Sequence, residues 1–327
     1  MIATATKQPN EICIPLADSR QIYRVEDVDK ALEASAPARN EALASFYERM
    51  RETGGTRFVV KPSRADSVDP LHESCPNFGE VIEDIRKSLA LAVSGNEPVS
   101  FAPILLLGEP GIGKTHFARA LAERLGTGYH FVSMSSLTAG WILSGASAQW
   151  NHAKPGKVAQ ALVGGELANP VIVLDEVDKA GGDARYDPLG PLYELLEHDT
   201  ARRFRDEYVD VEMDASHLLW VTTANDERNI PEPILNRMNV YVVPRPDADE
   251  SFMIACRLYR DIVSAHDWGF PMDPPQDVME CLASLPPRSQ RRALMSAFGS
   301  AKLAGRDRLA ADDLDSYRPG SKRKIGF

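Results

Sequence analysis

Gly108-Glu109-Pro110-Gly111-Ile112-Gly113-Lys114-Thr115 satisfies G-x-x-x-x-G-K-[ST], a spacing suited to holding phosphate groups. The glycines let successive backbone N–H groups turn into one concavity, and a helix starting there adds the positive end of its dipole. In such a loop Lys114 would reach the β- and γ-phosphates of ATP, Thr115 would ligate Mg²⁺, and His116 would follow along the helix. Val171-Ile172-Val173-Leu174-Asp175-Glu176 ends an apolar run in two carboxylates, where open α/β sheets bind ligands. Asp175 would hold the hydrated Mg²⁺, and Glu176 would accept a proton from, or orient, the water that attacks the γ-phosphate. Trp220-Val221-Thr222-Thr223-Ala224-Asn225 ends in a neutral amide, able to hold that water without adding charge.

These residues need a sheet to carry them. Short apolar runs at Pro103 to Leu107, Tyr129 to Met134, Val171 to Leu174, His217 to Thr222 and Val240 to Val243 read as buried parallel strands. Between the first two, Phe117, Leu121 and Leu125 recur every four residues, marking a helix that Gly126 can end. The alternation is α/β. After Pro244 and Pro246 the strand signals stop, and Phe252, Ala255, Leu258, Tyr259 and Ile262 begin amphipathic helices that continue to about Tyr317. The expected organisation is an N-terminal module or arm over 1–70, an α/β nucleotide-binding domain over 71–245, and a small all-helical lid with a basic tail over 246–327. Within the first, helices are expected near Val25 to Ala34 and Pro37 to Arg51, then a strand at Phe58-Val59-Val60.

Composition sets bounds on function. A chain of 327 residues, 43% hydrophobic and 26% charged, has the balance of a folded globular protein of roughly two domains. Its longest apolar stretch, Phe101 to Leu107, is far short of the roughly 20 residues that span a bilayer. The first fifteen residues carry Lys7, Asn10 and Glu11 where a secretory signal needs an apolar core, so the expectation is cytoplasmic, with no membrane partner. Cys13, Cys75, Cys256 and Cys281 show no zinc spacing and read as free buried thiols. A net charge of −10 repels a phosphate backbone, so nucleic-acid binding would need a local patch such as the Lys322-Arg323-Lys324 tail.

With the three motifs placed, the stretch from about 71 to 300 resembles an AAA+ ATPase, and within that class the ATPase part of Lon-type proteases. The resemblance continues through Asp175-Glu176-Val177-Asp178-Lys179, Asp183 to Pro188, Tyr193-Glu194-Leu195-Leu196 and Phe204 to Val211. It is densest over Ile230-Pro231-Glu232-Pro233-Ile234-Leu235-Asn236-Arg237-Met238. It implies a P-loop AAA+ module, a parallel sheet flanked by helices, followed by a helical lid. It implies further that Arg237 is an arginine finger reaching the γ-phosphate of a neighbouring subunit, so that the protein forms a homo-oligomeric, hexameric ring. A sensor arginine is expected in the lid: Arg288 fits the P-x-R form, and Arg291 the R-R-A-L form. Trp150 takes the position of an aromatic that grips polypeptide in the central pore, with Asn151 in place of the usual aliphatic neighbour; a packed core tryptophan is the other reading. No residues correspond to a protease domain, so proteolysis is not expected.

The sequence thus supports a Mg²⁺-dependent ATPase that remodels or unfolds a protein partner. Arg202-Arg203-Phe204-Arg205 and Arg288-Ser289-Gln290-Arg291-Arg292 keep open a DNA-associated motor or loader. The altered pore segment keeps open an assembly factor switched by ATP.

Overall fold

The computed structural model describes residues 17–34, 40–136, 140–150, 153–181 and 187–317. Cys13, Asn151, His152, the stretch from Asp183 to Tyr186 and the basic tail lie outside them.

Nine strands are present among the described residues. They are β1 (Ala17–Gln21), β2 (Thr56–Val60), β3 (Ile104–Leu107), β4 (Tyr129–Ser133), β5 (Val171–Asp175), β6 (Phe204–Arg205), β7 (Glu212–Met213), β8 (Leu219–Ala224) and β9 (Asn239–Val242). A five-stranded sheet has the order β4-β5-β8-β3-β9, with every pairing parallel. All five expected runs are in it. Residues in β5 and β8 are buried on both faces, which is why these segments read as continuous apolar runs rather than as alternation. The order brings β5, β8 and β3 side by side, so the loops leaving their C-terminal ends share one crevice.

The helix Lys114–Leu125 leaves β3 and lays Phe117, Leu121 and Leu125 against one face of the sheet. Gly126, left-handed, closes it as its position suggested. On the same face lies the helix Gly79–Gly95, which the apolar pattern had not singled out; Ile82, Ile85 and Leu89 are its buried stripe. The other face packs on Val158, Leu162, Leu192 and Leu195.

Residues 17–60 share that second core. The helices Val25–Ala34 and Glu41–Thr53 contribute Val28, Leu43, Tyr47 and Met50, and the antiparallel pair β1–β2 contributes Val59. Arg57 is buried, with its guanidinium donating to Leu162 O at 2.9 Å and Val163 O at 3.2 Å. The carboxyl-terminal helices Ala248–Ala265, Gln276–Ala283 and Pro287–Leu303 have a core of their own around Tyr259, Met279, Leu294 and Phe298. The first starts with a full capping box between Asp247 and Glu250, directly after the proline-rich exit from β9. Among the described residues no helix is long and apolar enough to cross a membrane.

Candidate functional site

A cleft of about 590 Å³ lies where the sheet's C-terminal crevice faces the helical lid. The loop after β3 forms its floor. Gly113 takes φ +107 directly before Lys114, a backbone that L side chains rarely adopt. Pro110, Gly111, Ile112, Gly113, Lys114, Thr115 and His116 all line the cleft. Glu109 is turned to Arg245 in an ion pair, so the loop's one negative charge is balanced by the segment leading to the lid.

Lys114 is buried, and its ammonium donates to Gly108 O at 2.5 Å, Glu109 O at 3.0 Å and Asn225 Oδ1 at 2.9 Å. Burial draws its pKa down, against the pull of Asp178, Asp175 and Glu176. The contact with Asn225 brings the ends of β3 and β8 together, two motifs separated by more than a hundred residues in sequence.

Asp175 Oδ1 accepts from two hydroxyls, Thr115 at 2.8 Å and Thr223 at 2.7 Å. Thr223 Oγ1 in turn accepts the backbone N–H of Glu176 at 2.9 Å. Glu176 holds φ +58, ψ +51, an uncommon backbone for a residue with a side chain and one that collects at functional turns. This turn separates the two carboxylates: Asp175 stays with Thr115, while Glu176 projects beside Lys179, with which it pairs. The Lys179 hydrogen bond, followed by that of Ser135, holds the Glu176 carboxyl below its ordinary range despite some desolvation. Glu176 is therefore ionised at neutral pH, as a base requires.

A hydroxyl and a carboxylate side by side make a hard oxygen donor pair suited to Mg²⁺ beside a phosphate chain. Thr115 and Asp175 fit that ion.

The lid supplies the opposite wall. Arg288 stands over the phosphate loop, its Cβ 3.7 Å from where a Cβ on Gly111 would lie. Arg291 also lines the cleft near His116, whose pKa is drawn down by burial and, to a smaller extent, by Arg119 and Arg291, against the pull of Glu123 and Asp261. Both sensor candidates thus face the nucleotide-binding loop.

Arg237 is not among the residues lining the cleft. It sits after the short helix Glu232–Leu235, with Nη1 donating to Pro233 O at 2.5 Å and its guanidinium 5.9 Å from the Tyr193 ring centre. Trp150 is 49% exposed and meets Trp141 edge-on at 5.4 Å, so it is not a packed core residue.

Sequence reasoning missed several groups. Thr223, inside a motif quoted only for its final Asn, bridges Asp175 to Glu176. Ser74, Cys75, Asn77 and Phe78, with Ile254, Arg257, Leu258 and Asp261 from the lid, line the rest of the cleft. Phe78 stacks on Phe117 at 4.5 Å, and buried Asn77 donates to Pro244 O at 3.1 Å while its Oδ1 has no partner. Only the helix start after Phe78 offered a signal there. Cys75 is the free buried thiol expected, and burial pushes it up to about 11, whereas Cys256 and Cys281 are free but only half-buried, on the outer side of the helical core. Among the described residues no group of three or more His, Cys, Asp or Glu side chains is placed to hold a metal ion.

The profile of the family described as "ATPase family associated with various cellular activities (AAA)" matches residues 104–245. The chain is 36% identical over 185 residues to Lon protease 2 of Hydrogenovibrio crunogenus, a match covering 57% of this chain and 21% of that protein. It is 38% identical over 204 residues to the Lon protease of Brucella abortus, covering 62% of this chain and 25% of that one. The chain therefore spans about a fifth to a quarter of these relatives. A solved structure of the S. cerevisiae Hsp104:casein complex matches with a TM-score of 0.60 at 15% identity, covering 85% of this chain and 52% of that chain, a likeness of fold. Residues 104–245 form an AAA-type ATPase module that resembles the ATPase part of Lon proteases.

Proposed function

We propose, starting from that ATPase module, that the protein is a ring-forming, Mg²⁺-dependent ATPase that couples hydrolysis to remodelling or unfolding of a protein partner in the cytoplasm. The observation that carries the hydrolytic reading is the convergence of Lys114, Thr115, Asp175, Glu176 and Asn225 at adjacent strand ends, under helices that present Arg257, Arg288 and Arg291 to the same cleft.

ATP binds with its phosphates over the glycine loop, and Lys114 exchanges carbonyl contacts for phosphate oxygens. Thr115 and Asp175 would hold Mg²⁺, which would supply positive charge against the phosphates. Glu176 leaves Lys179 and orients the attacking water together with Asn225, taking its proton as the water oxygen bonds to the γ-phosphorus and the bond to the β–γ bridging oxygen breaks, so that ADP and phosphate leave. Arg237 from an adjacent copy meets the charge that develops on the γ-phosphate, an effect worth roughly 10³ to 10⁵ in rate. Arg288 turns loss of that phosphate into lid movement. Trp150, half-exposed on a loop, supports action on polypeptide.

The test is steady-state ATP hydrolysis over a range of protein concentrations, with and without an unfolded polypeptide or single-stranded DNA. Turnover per subunit that climbs with concentration and with polypeptide supports the proposal. Arg202 and Arg203 are exposed beside β6, which favours DNA as the second reading. Stimulation by DNA alone would establish it in place of the first, and no stimulation by either would favour an ATP-switched assembly factor.

A further inference from the structure

A buried carboxylate outside the nucleotide cleft ties down the segment that carries Trp150. Asp206 is 0% exposed, and its side chain accepts three backbone N–H groups. Oδ1 receives Tyr208 at 2.9 Å and Val209 at 3.1 Å, closing the turn after β6. Oδ2 receives Gly156 at 2.8 Å, at the far end of the Trp150 loop. At the near end Gly145, with φ +83, runs so close that any Cβ would overlap the same carboxylate. Ser144 O accepts the N–H of Glu207 at 2.8 Å, and Ala146 N–H donates to Lys154 O at 3.3 Å. Both ends of the loop therefore meet at Asp206, with Trp150 between them.

Desolvating a carboxylate is costly unless its oxygens are satisfied. Burial, with the nearby charge of Glu207, pushes the Asp206 pKa up to about 6 even though three donors oppose the shift. An acid kept there, away from the nucleotide cleft, matters through what it bonds. Eight residues upstream of β6's last residue lies Glu197, whose Oε1 is 3.0 Å from Arg237 Nε. Between them run the short helix His198–Ala201 and β6.

We infer that Asp206 is a positioning residue for the Trp150 loop, tying that loop to the segment whose other end pairs with Arg237. The inference rests on the proposed action on polypeptide. When Arg237 turns to a neighbour's phosphate it gives up Glu197, and the base of the Trp150 loop moves with the segment that Glu197 begins. One subunit's grip thereby follows the nucleotide state of the next.

The test uses the full chain carrying Asp206→Asn. Its amide oxygen still accepts from Tyr208 and Val209, while its NH₂ opposes the Gly156 N–H. Hydrogen exchange should speed up in peptides covering 145–156 while β5 and β8 keep their protection. Stimulation of ATP hydrolysis by reduced, carboxymethylated lactalbumin should fall by about tenfold with basal hydrolysis unchanged. Gly145→Ala, which presses a methyl on Asp206 from the loop side, should give the same pattern and decides the matter if Asp206→Asn does not fold. Unchanged loop exchange and stimulation would overturn the inference, as would faster exchange spread evenly over the sheet. Trp150→Ala separates the two levels: stimulation lost there but intact in Asp206→Asn removes the inference alone, and stimulation surviving Trp150→Ala removes the threading reading and the coupling with it.

Discussion

Arg237 places its Nε 3.0 Å from Glu197 Oε1, an ion pair away from the cleft lined by Lys114 and Thr115 of the same chain. Within its own subunit such an arginine makes only local contacts, with Glu197, Pro233 O and the Tyr193 ring. Serving a neighbour, it completes a shared site. Arg237→Ala should therefore bind ATP normally and lose about 10³-fold or more in turnover. Mixing it with Glu176→Gln subunits should restore part of the activity, because some sites then combine an intact Glu176 with an intact Arg237. Mixtures as inactive as the separate variants would place Arg237 outside a shared site.

Glu176 and Lys114 should fail differently. Glu176→Gln removes the base but leaves the loop, so ATP titration should be near wild type while hydrolysis falls by about 10² to 10⁴. Lys114→Ala removes the cation that the loop carbonyls and Asn225 share, so binding itself should be lost. Wild-type hydrolysis in Glu176→Gln would refute the assignment of the base.

Thr223→Val tests the link between the carboxylates. It keeps the shape but deletes the hydroxyl that donates to Asp175 and accepts from Glu176 N–H. The strained turn at Glu176 then loses its tether, and a buried donor is left unmet at about 1–3 kcal/mol. Turnover should fall more than ATP affinity; equal loss of both would indicate a general loosening of the site.

The phosphate site was legible because its chemistry is written in contiguous residues. The inner strands β3, β5 and β8 were legible because burial on both faces requires an unbroken apolar run, whereas the edge strands β4 and β9 show apolar residues that stay partly exposed. What was not legible depends on approach through space. Nothing near Asn77 or Asp261 in sequence says that they face the same cleft, and nothing near Asp206 says that its carboxylate meets Gly156. The core shared between Tyr47 and the sheet shows the same limit: its helix was expected, but amphipathicity identifies a face to bury without identifying what buries it.

Asp206 gives a pH signature to stability. Its pKa is about 6 in the folded chain against 3.8 ordinarily, so the folded state holds a proton between those values that the unfolded state has released. The contribution is full below pH 3.8 and is lost as pH rises through 6. Asp206→Asn lacks this titration. In urea unfolding, wild type should gain about 1 kcal/mol relative to Asp206→Asn between pH 7.5 and pH 5. A constant difference between the two proteins over that range would mean that the carboxyl titrates near its ordinary value.

Arg288 and Arg291 can be told apart by what each faces. Arg288 stands over Gly111 in the phosphate loop, whereas Arg291 lines the cleft further along, with His116 also in its lining. Arg288→Ala should cut turnover by about tenfold or more, because a cation near transferred phosphate acts most where charge develops. Arg291→Ala should act mainly on nucleotide affinity, with turnover within about threefold of wild type. The reverse pattern would make Arg291, which lines the same cleft, the residue that senses the phosphate.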